Sequence, residues 1–332
     1  MKNKRRILNY IWTALLFGFT VFAALDTFVF EHAYEVVEEE APKEQVNETD
    51  TEPASETVDP ETPAATAVKT AAVTSNPEST TVPAEEAQVV STENMYSDGN
   101  VTITIQEIRA YDSTVYVADV VLSSPDYLKT AFANSTYGRN VTAKTSNIAE
   151  TANAILAVNG DYYGARNAGY VIRNGVLYRS KANKDAEDLV IYQDGSFGII
   201  NESQISAQEL LDSGAWNVFS FGPALLVDGE IAVETGEEVG RAMASNPRTA
   251  IGVVDELHYL FVVSDGRTKT SEGLSLRELA EVLQELGART AYNLDGGGSS
   301  TMVFQGQVVN NPTTNGKRIT ERSVSDIVCI TC

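Results

Sequence analysis

Asp161, Asp265 and Asp295 share one local setting: each follows an apolar run that reads as a strand, and each has a glycine beside it. Asn159 and Asn293 precede two of them, in NGD and NLDG, and Arg248 and Arg267 bracket a predicted strand pair. The densest of these stretches is NLDGGGSSTMV, Asn293 to Val303, where Gly296, Gly297 and Gly298 run into Ser299 and Ser300 between two strand-like segments. Three successive glycines cost backbone entropy, a cost accepted where a turn needs positive φ or where something must approach the backbone closely. Carboxylates serve as nucleophile, base or acid in glycosyl transfer. Guanidinium forks grip phosphate oxygens, and glycine-loop N–H groups with hydroxyls can share that task. A lone Asp-Gly is usually turn chemistry, and Asp194-Gly195 and Asp228-Gly229 read as turns of that kind. Three carboxylates and two arginines at strand exits form a larger constellation than turns require. The candidate catalytic carboxylates are therefore Asp161, Asp265 and Asp295, their individual roles left open. The candidate substrate-binding residues are Asn159, Arg248, Arg267, Asn293, Gly296, Gly297, Gly298, Ser299 and Ser300.

Elimination narrows the chemistry further. The glycine run lacks the lysine of a phosphate-binding P-loop, and a strand rather than a helix follows it, unlike a dinucleotide fingerprint. Of two histidines, His32 follows the N-terminal apolar run and His258 lies in a predicted strand, which argues against a histidine-based triad or a multi-histidine zinc site. Cys329 and Cys332 are the only cysteines. They could form a local disulfide outside the cell, although i,i+3 spacing on a regular strand places them on opposite faces. No cofactor is required by these residues, and a divalent cation, calcium or magnesium, held by the carboxylates is an alternative.

The elements that must position these groups follow from charge and periodicity. The net charge is −22 over 332 residues. An acidic chain lacks the basic footprint that nucleic acid needs, and it must meet any anionic substrate with a few local arginines. Residues 1–30 carry Lys2, Lys4, Arg5 and Arg6 ahead of an apolar run from Ile7 to Phe30, which predicts a cytoplasmic tip and an uncleaved transmembrane anchor. Residues 31–96 are rich in Glu, Thr, Ala and Pro and predict a disordered linker. Residues 97–332 predict one α+β domain with a mixed, largely antiparallel sheet core and a few packed helices. Asn174-Gly175 between apolar runs is a hairpin signal. Ser275 to Leu286 is the clearest helix, opened by a Ser275/Glu278 capping box and closed by Gly287.

NGDYY, FGPALLVDG, NPRTAIG, SDGR and NLDGGGSSTMV, in that order, resemble the phosphodiester glycosidase family, over roughly Asn147 to Val328. The last motif is the most specific. The resemblance implies an extracytoplasmic α+β domain that hydrolyses a sugar-1-phosphodiester, releasing the sugar from a phosphate monoester. Its motif positions fall on Asn159, Gly160, Asp161, Gly222, Pro223, Arg248, Asp265, Gly266, Arg267, Asp295, Gly296, Gly297, Gly298, Ser299 and Ser300. The expected partners are a phosphodiester-linked glycan or wall polymer and, through the N-terminal helix, the cell membrane, with the C-terminal domain extracellular and no nucleic acid bound. Two rival readings are a non-catalytic carbohydrate or wall-polymer binding module and a structural surface protein whose Asp-Gly pairs are only turns.

Overall fold

The computed structural model describes residues 2–34, 89–184, 186–238 and 245–332. Most of the expected linker, residues 35–88, lies outside them. The predicted α+β class holds: short helices pack on antiparallel sheets, and each pairing between described strands is antiparallel.

A nine-stranded sheet runs in the order Glu230–Ile231, Ala224–Val227, Thr290–Asn293, Arg248–Asp255, His258–Ser264, Ser113–Leu122, Val101–Ala110, Met95–Ser97 and Val90–Ser91. Its central strands read as continuous apolar runs because both faces are covered. In His258–Ser264, Tyr259, Phe261 and Val263 face one core while Leu260 and Val262 face the other, the period-2 alternation of a strand. The second core is closed by the helix Leu276–Glu285, whose Leu276, Leu279, Ala280 and Leu283 are buried with Leu226, Ala250 and Leu260. Ser275 caps it with Glu278 as expected, and Gly287, at φ 90°, ends it.

Two five-stranded sheets and a two-stranded pairing of His32–Ala33 with Gly138–Arg139 complete the described sheets. One five-stranded sheet carries Ala154–Asn159 between Met302–Phe304 and Asp326–Thr331, and the other carries Val171–Arg173 and Ala215–Phe219. The Asn174-Gly175 turn forms as expected, both residues at positive φ, joining Val171–Arg173 to Val176–Arg179.

Two expectations need correction, and the open question of the cysteines is answered. The linker boundary at 96 is too late, because Val90–Ser91 and Met95–Ser97 already belong to the nine-stranded sheet; the acidic composition of the preceding segment masks two short strands. The N-terminal apolar run does form a helix, Lys2–Phe28. Among the described residues, however, no helix is long and apolar enough to cross a membrane. The expected transmembrane span is thus not borne out among them. The cysteines are both free, Cys329 buried and Cys332 exposed, since Asp326–Thr331 stays a strand with no turn to bring them together.

Candidate active site

Antiparallel pairing explains why the candidate residues gather. Arg248 opens its strand opposite Ser264, and Ala250, two residues on, lies opposite Asn293. The start of one strand thus lies beside the exits of its two neighbours, where Asp265 and Asp295 follow. The Ala154–Asn159 strand belongs to a different sheet, yet its exit is fastened to the same place. The Asp295 N–H donates to Gly160 O at 3.2 Å. Asn159 locks the junction: Nδ2 donates to Asp295 O at 2.6 Å, while Oδ1 accepts from Thr249 Oγ1 at 2.8 Å and Thr301 N at 3.2 Å. Asn293 Nδ2 donates to Gly222 O at 2.8 Å.

The three glycines are needed because protein packs directly on them. A Cβ on Gly297, which sits at φ 64°, would stand 2.9 Å from an Arg267 guanidinium nitrogen, and one on Gly298 would stand 2.3 Å from Thr314 Oγ1. The segment after the loop therefore folds back over it, and Arg322 N–H donates to Gly298 O at 3.1 Å.

That return brings in a residue the sequence did not single out. Arg322 Nη2 lies 2.9 Å from Asp295 Oδ2, and its Nε donates to Ser299 Oγ at 2.8 Å. Asp295 is buried, and burial holds its carboxyl above the usual carboxylate range although Arg322, Ser299 and the Gly296 N–H pull the other way. Arg267 stands beside them, with its Nη2 on Asn246 Oδ1 at 2.8 Å and its Nη1 on Thr314 O at 2.6 Å. Partial burial, then the positive charges of Arg322 and Arg248, lower its pKa from the usual arginine value. Arg248 is itself buried, with Nε on Leu274 O at 2.8 Å and an ion pair to Glu238. Three guanidiniums thus share one neighbourhood with Asp295 and Glu238. Among the described residues Ser300 Oγ and Asn293 Oδ1 are buried there without a hydrogen-bond partner, an uncommon state for buried polar atoms.

The other two aspartates are committed elsewhere. Asp161 Oδ2 pairs with Arg173 at 3.0 Å and accepts from Ser220 N at 3.1 Å, while Oδ1 accepts from Tyr163 N at 2.9 Å. Arg173 is fully buried and also pairs with Asp326 at 2.8 Å. Burial raises Asp326 above the normal carboxylate range. Nearby Asp188 is pushed up to about 10 by burial and then by Glu202. This internal cluster ties the small sheets together. Asp265 accepts from Asn311 N at 2.8 Å and Nδ2 at 2.9 Å and from Asn310 Nδ2 at 3.2 Å; it braces the returning segment, and its carboxylate faces that segment. Among the described residues no group of three or more His, Cys, Asp or Glu side chains could hold a metal ion.

Residues 152–331 match the family model described as phosphodiester glycosidase. The chain belongs to that family. It is a family of hydrolases. A prophage-derived protein of Bacillus subtilis (strain 168) is 28% identical over 213 residues, 62% of this chain and 32% of that protein. Mouse N-acetylglucosamine-1-phosphodiester alpha-N-acetylglucosaminidase is 27% identical over 206 residues, 57% of this chain and 40% of that enzyme. The chain thus spans well under half the length of these relatives. In fold it resembles the zebrafish N-acetylglucosamine-1-phosphodiester alpha-N-acetylglucosaminidase catalytic domain auto-inhibited by pro-peptide, with TM-score 0.56 at 22% identity, covering 70% of this chain and 83% of that one.

Proposed function

We propose that this phosphodiester glycosidase hydrolyses a sugar-1-phosphodiester, an N-acetylglucosamine-1-phosphodiester first among candidates, within a cell-surface polysaccharide or wall polymer. The observation that carries the reading is the convergence of Arg322, Arg267 and Arg248 on the glycine loop around Asp295. Three guanidiniums against two carboxylates leave a positive surplus in an otherwise acidic chain, a setting that attracts a phosphodiester monoanion.

In this reading Arg322 and Arg267, both partly exposed, hold the phosphate oxygens. Arg248, buried behind them, adds its field. The bond that breaks joins the anomeric carbon to the phosphate oxygen. Water supplies the new hydroxyl of the sugar, and the departing group is a phosphate monoester whose growing charge the arginines stabilise. A phosphate monoester leaves more readily than a sugar alkoxide, so the reaction does not need a separate general acid on the leaving oxygen. Asp295 acts at the anomeric carbon, since it is the aspartate that lies against the partly exposed Arg322, beside Arg267.

The same proposal places the domain outside the cytoplasm, held at the cell membrane by its N-terminal helix. Its support is the basic cluster ahead of that helix and the exposed Trp12, Leu16, Phe17, Phe19 and Phe22 along it, side chains that need an apolar cover. Protease added to intact cells would then remove the domain.

The reaction is tested by incubating the full chain with sugar-1-phosphodiesters that differ in sugar and following phosphate monoester by phosphorus NMR. Release from at least one of them is the expected result. Binding without release across the series would make the chain a glycan-binding module instead.

A further inference from the structure

A cleft of about 530 Å³ opens beside the candidate site, and apart from Gly222 and Pro223 its wall is made of residues not discussed above. The wall is tied to the strand exits directly at Gly222 and through chain neighbours at Glu237 and Phe221. Gly222 O accepts from Asn293 Nδ2 at 2.8 Å. Glu237 precedes Glu238, the partner of Arg248. Ser220, next to Phe221, donates its N–H to Asp161 at 3.1 Å. Asn293 is two residues from Asp295, a span of at most about 7 Å, so the cleft adjoins the arginine group.

Its lining is polar and carries little net charge. The Arg166 guanidinium lies 5.1 Å from the centre of the Phe221 ring, a cation–π contact, and one of its nitrogens donates to Ser220 O. Its remaining N–H groups have no partner among the described residues. The exposed Asn183 side chain makes no hydrogen bond there either, and Asn201 accepts from Ser203 but has its own amide N–H groups unused. Glu187 and Glu237 stand on the same wall. They accept hydroxyl donors and repel a second anion. Amide and guanidinium donors, carboxylate acceptors and one aromatic ring, in a volume within the range of small-molecule sites, suit a hydroxyl-rich neutral ring.

We propose that this cleft is the subsite for the sugar ring of the substrate, with Arg166 on Phe221 its specificity-determining residue. The inference rests on the proposed reaction, which puts the sugar next to the phosphate held by Arg267 and Arg322.

The test uses the full chain and two probes, free N-acetylglucosamine and inorganic phosphate, each titrated and followed by ligand-observed NMR. Asn183→Ala and Arg166→Ala should each weaken sugar binding about 5–10-fold, the worth of one net hydrogen bond, and leave phosphate binding within about twofold. Arg267→Ala should show the opposite pattern. Asn183 makes no side-chain hydrogen bond among the described residues, so that variant decides the matter if Arg166→Ala does not fold. Absence of sugar binding by the parent, or a variant effect that is equal for both probes, would overturn the subsite. Turnover measured on the same samples separates the two readings. Sugar binding without hydrolysis removes the reaction and keeps the cleft, whereas hydrolysis with unchanged KM in both cleft variants removes the cleft and keeps the reaction.

Discussion

Replacing Arg322 by alanine tests the pair that the returning segment builds over the glycine loop. Asp295 would lose its guanidinium partner at 2.9 Å and remain buried. Two unit charges at about 4 Å interact by about 4 kcal/mol at an effective dielectric of 20. The Arg322 side chain is 42% exposed, so solvent screening reduces that to about 1–2 kcal/mol. One pKa unit corresponds to about 1.4 kcal/mol, and the Asp295 carboxyl, already raised by burial, should rise by about one further unit. If the ionised carboxylate is the active form, the acid limb of the kcat/KM profile should move upward by about one pH unit, together with weaker substrate binding. Stability carries the same sign. Because the folded-state value lies above the unfolded one, the contribution of this carboxyl to stability is fully present below the unfolded value and is lost as pH rises through the folded value. Arg322→Ala moves the end of that window upward, so its destabilisation should be larger at pH 8 than at pH 5. Superimposable pH profiles of parent and variant would refute the reasoning.

Arg267→Ala removes a proposed phosphate ligand and leaves Asp295 in place; KM should rise about 10- to 100-fold, on the order of a charged hydrogen bond, and added salt should depress the parent's kcat/KM more than the variant's. Asp161→Asn takes a charge from the buried Asp161–Arg173–Asp326 cluster and should cost about 2–4 kcal/mol, lowering the unfolding midpoint by about 5–15 °C; phosphate affinity of the folded fraction should be unchanged, which calorimetric unfolding and phosphate titration together would check.

Much of this architecture is visible in the sequence because it depends on local signals. The Ser275/Glu278 capping box and the Asn174-Gly175 turn each act within a few residues, and each forms. Arg248, Arg267 and Asp295 could be grouped because antiparallel pairing brings strand starts to strand exits. Arg322 escaped because it lies in an irregular segment without periodicity, and its value comes from a contact 27 residues back in the chain. Asp161 was correctly placed at a strand exit, but its partner Arg173 reads as an ordinary residue before a hairpin turn. Only the sheet arrangement, which stacks that hairpin under Asp326, shows the carboxylate engaged inward. The two short strands near residue 95 were hidden by the acidic composition ahead of them, because composition reports burial capacity averaged over a window and cannot register a strand recruited to a sheet edge.

The central claim is that the ionised Asp295 carboxylate acts at the anomeric carbon while arginines hold the phosphate. Asp295→Asn keeps the side-chain shape and removes the charge. Steady-state turnover of a sugar-1-phosphodiester by this variant, compared at matched unfolding temperature with the parent, tests the claim most directly. The account predicts a fall in kcat of about 10²–10⁴-fold with substrate affinity unchanged or improved, because a negative charge beside an anionic phosphate is gone. A folded Asp295→Asn protein with turnover close to the parent's would contradict it and make Asp295 a structural partner of Arg322.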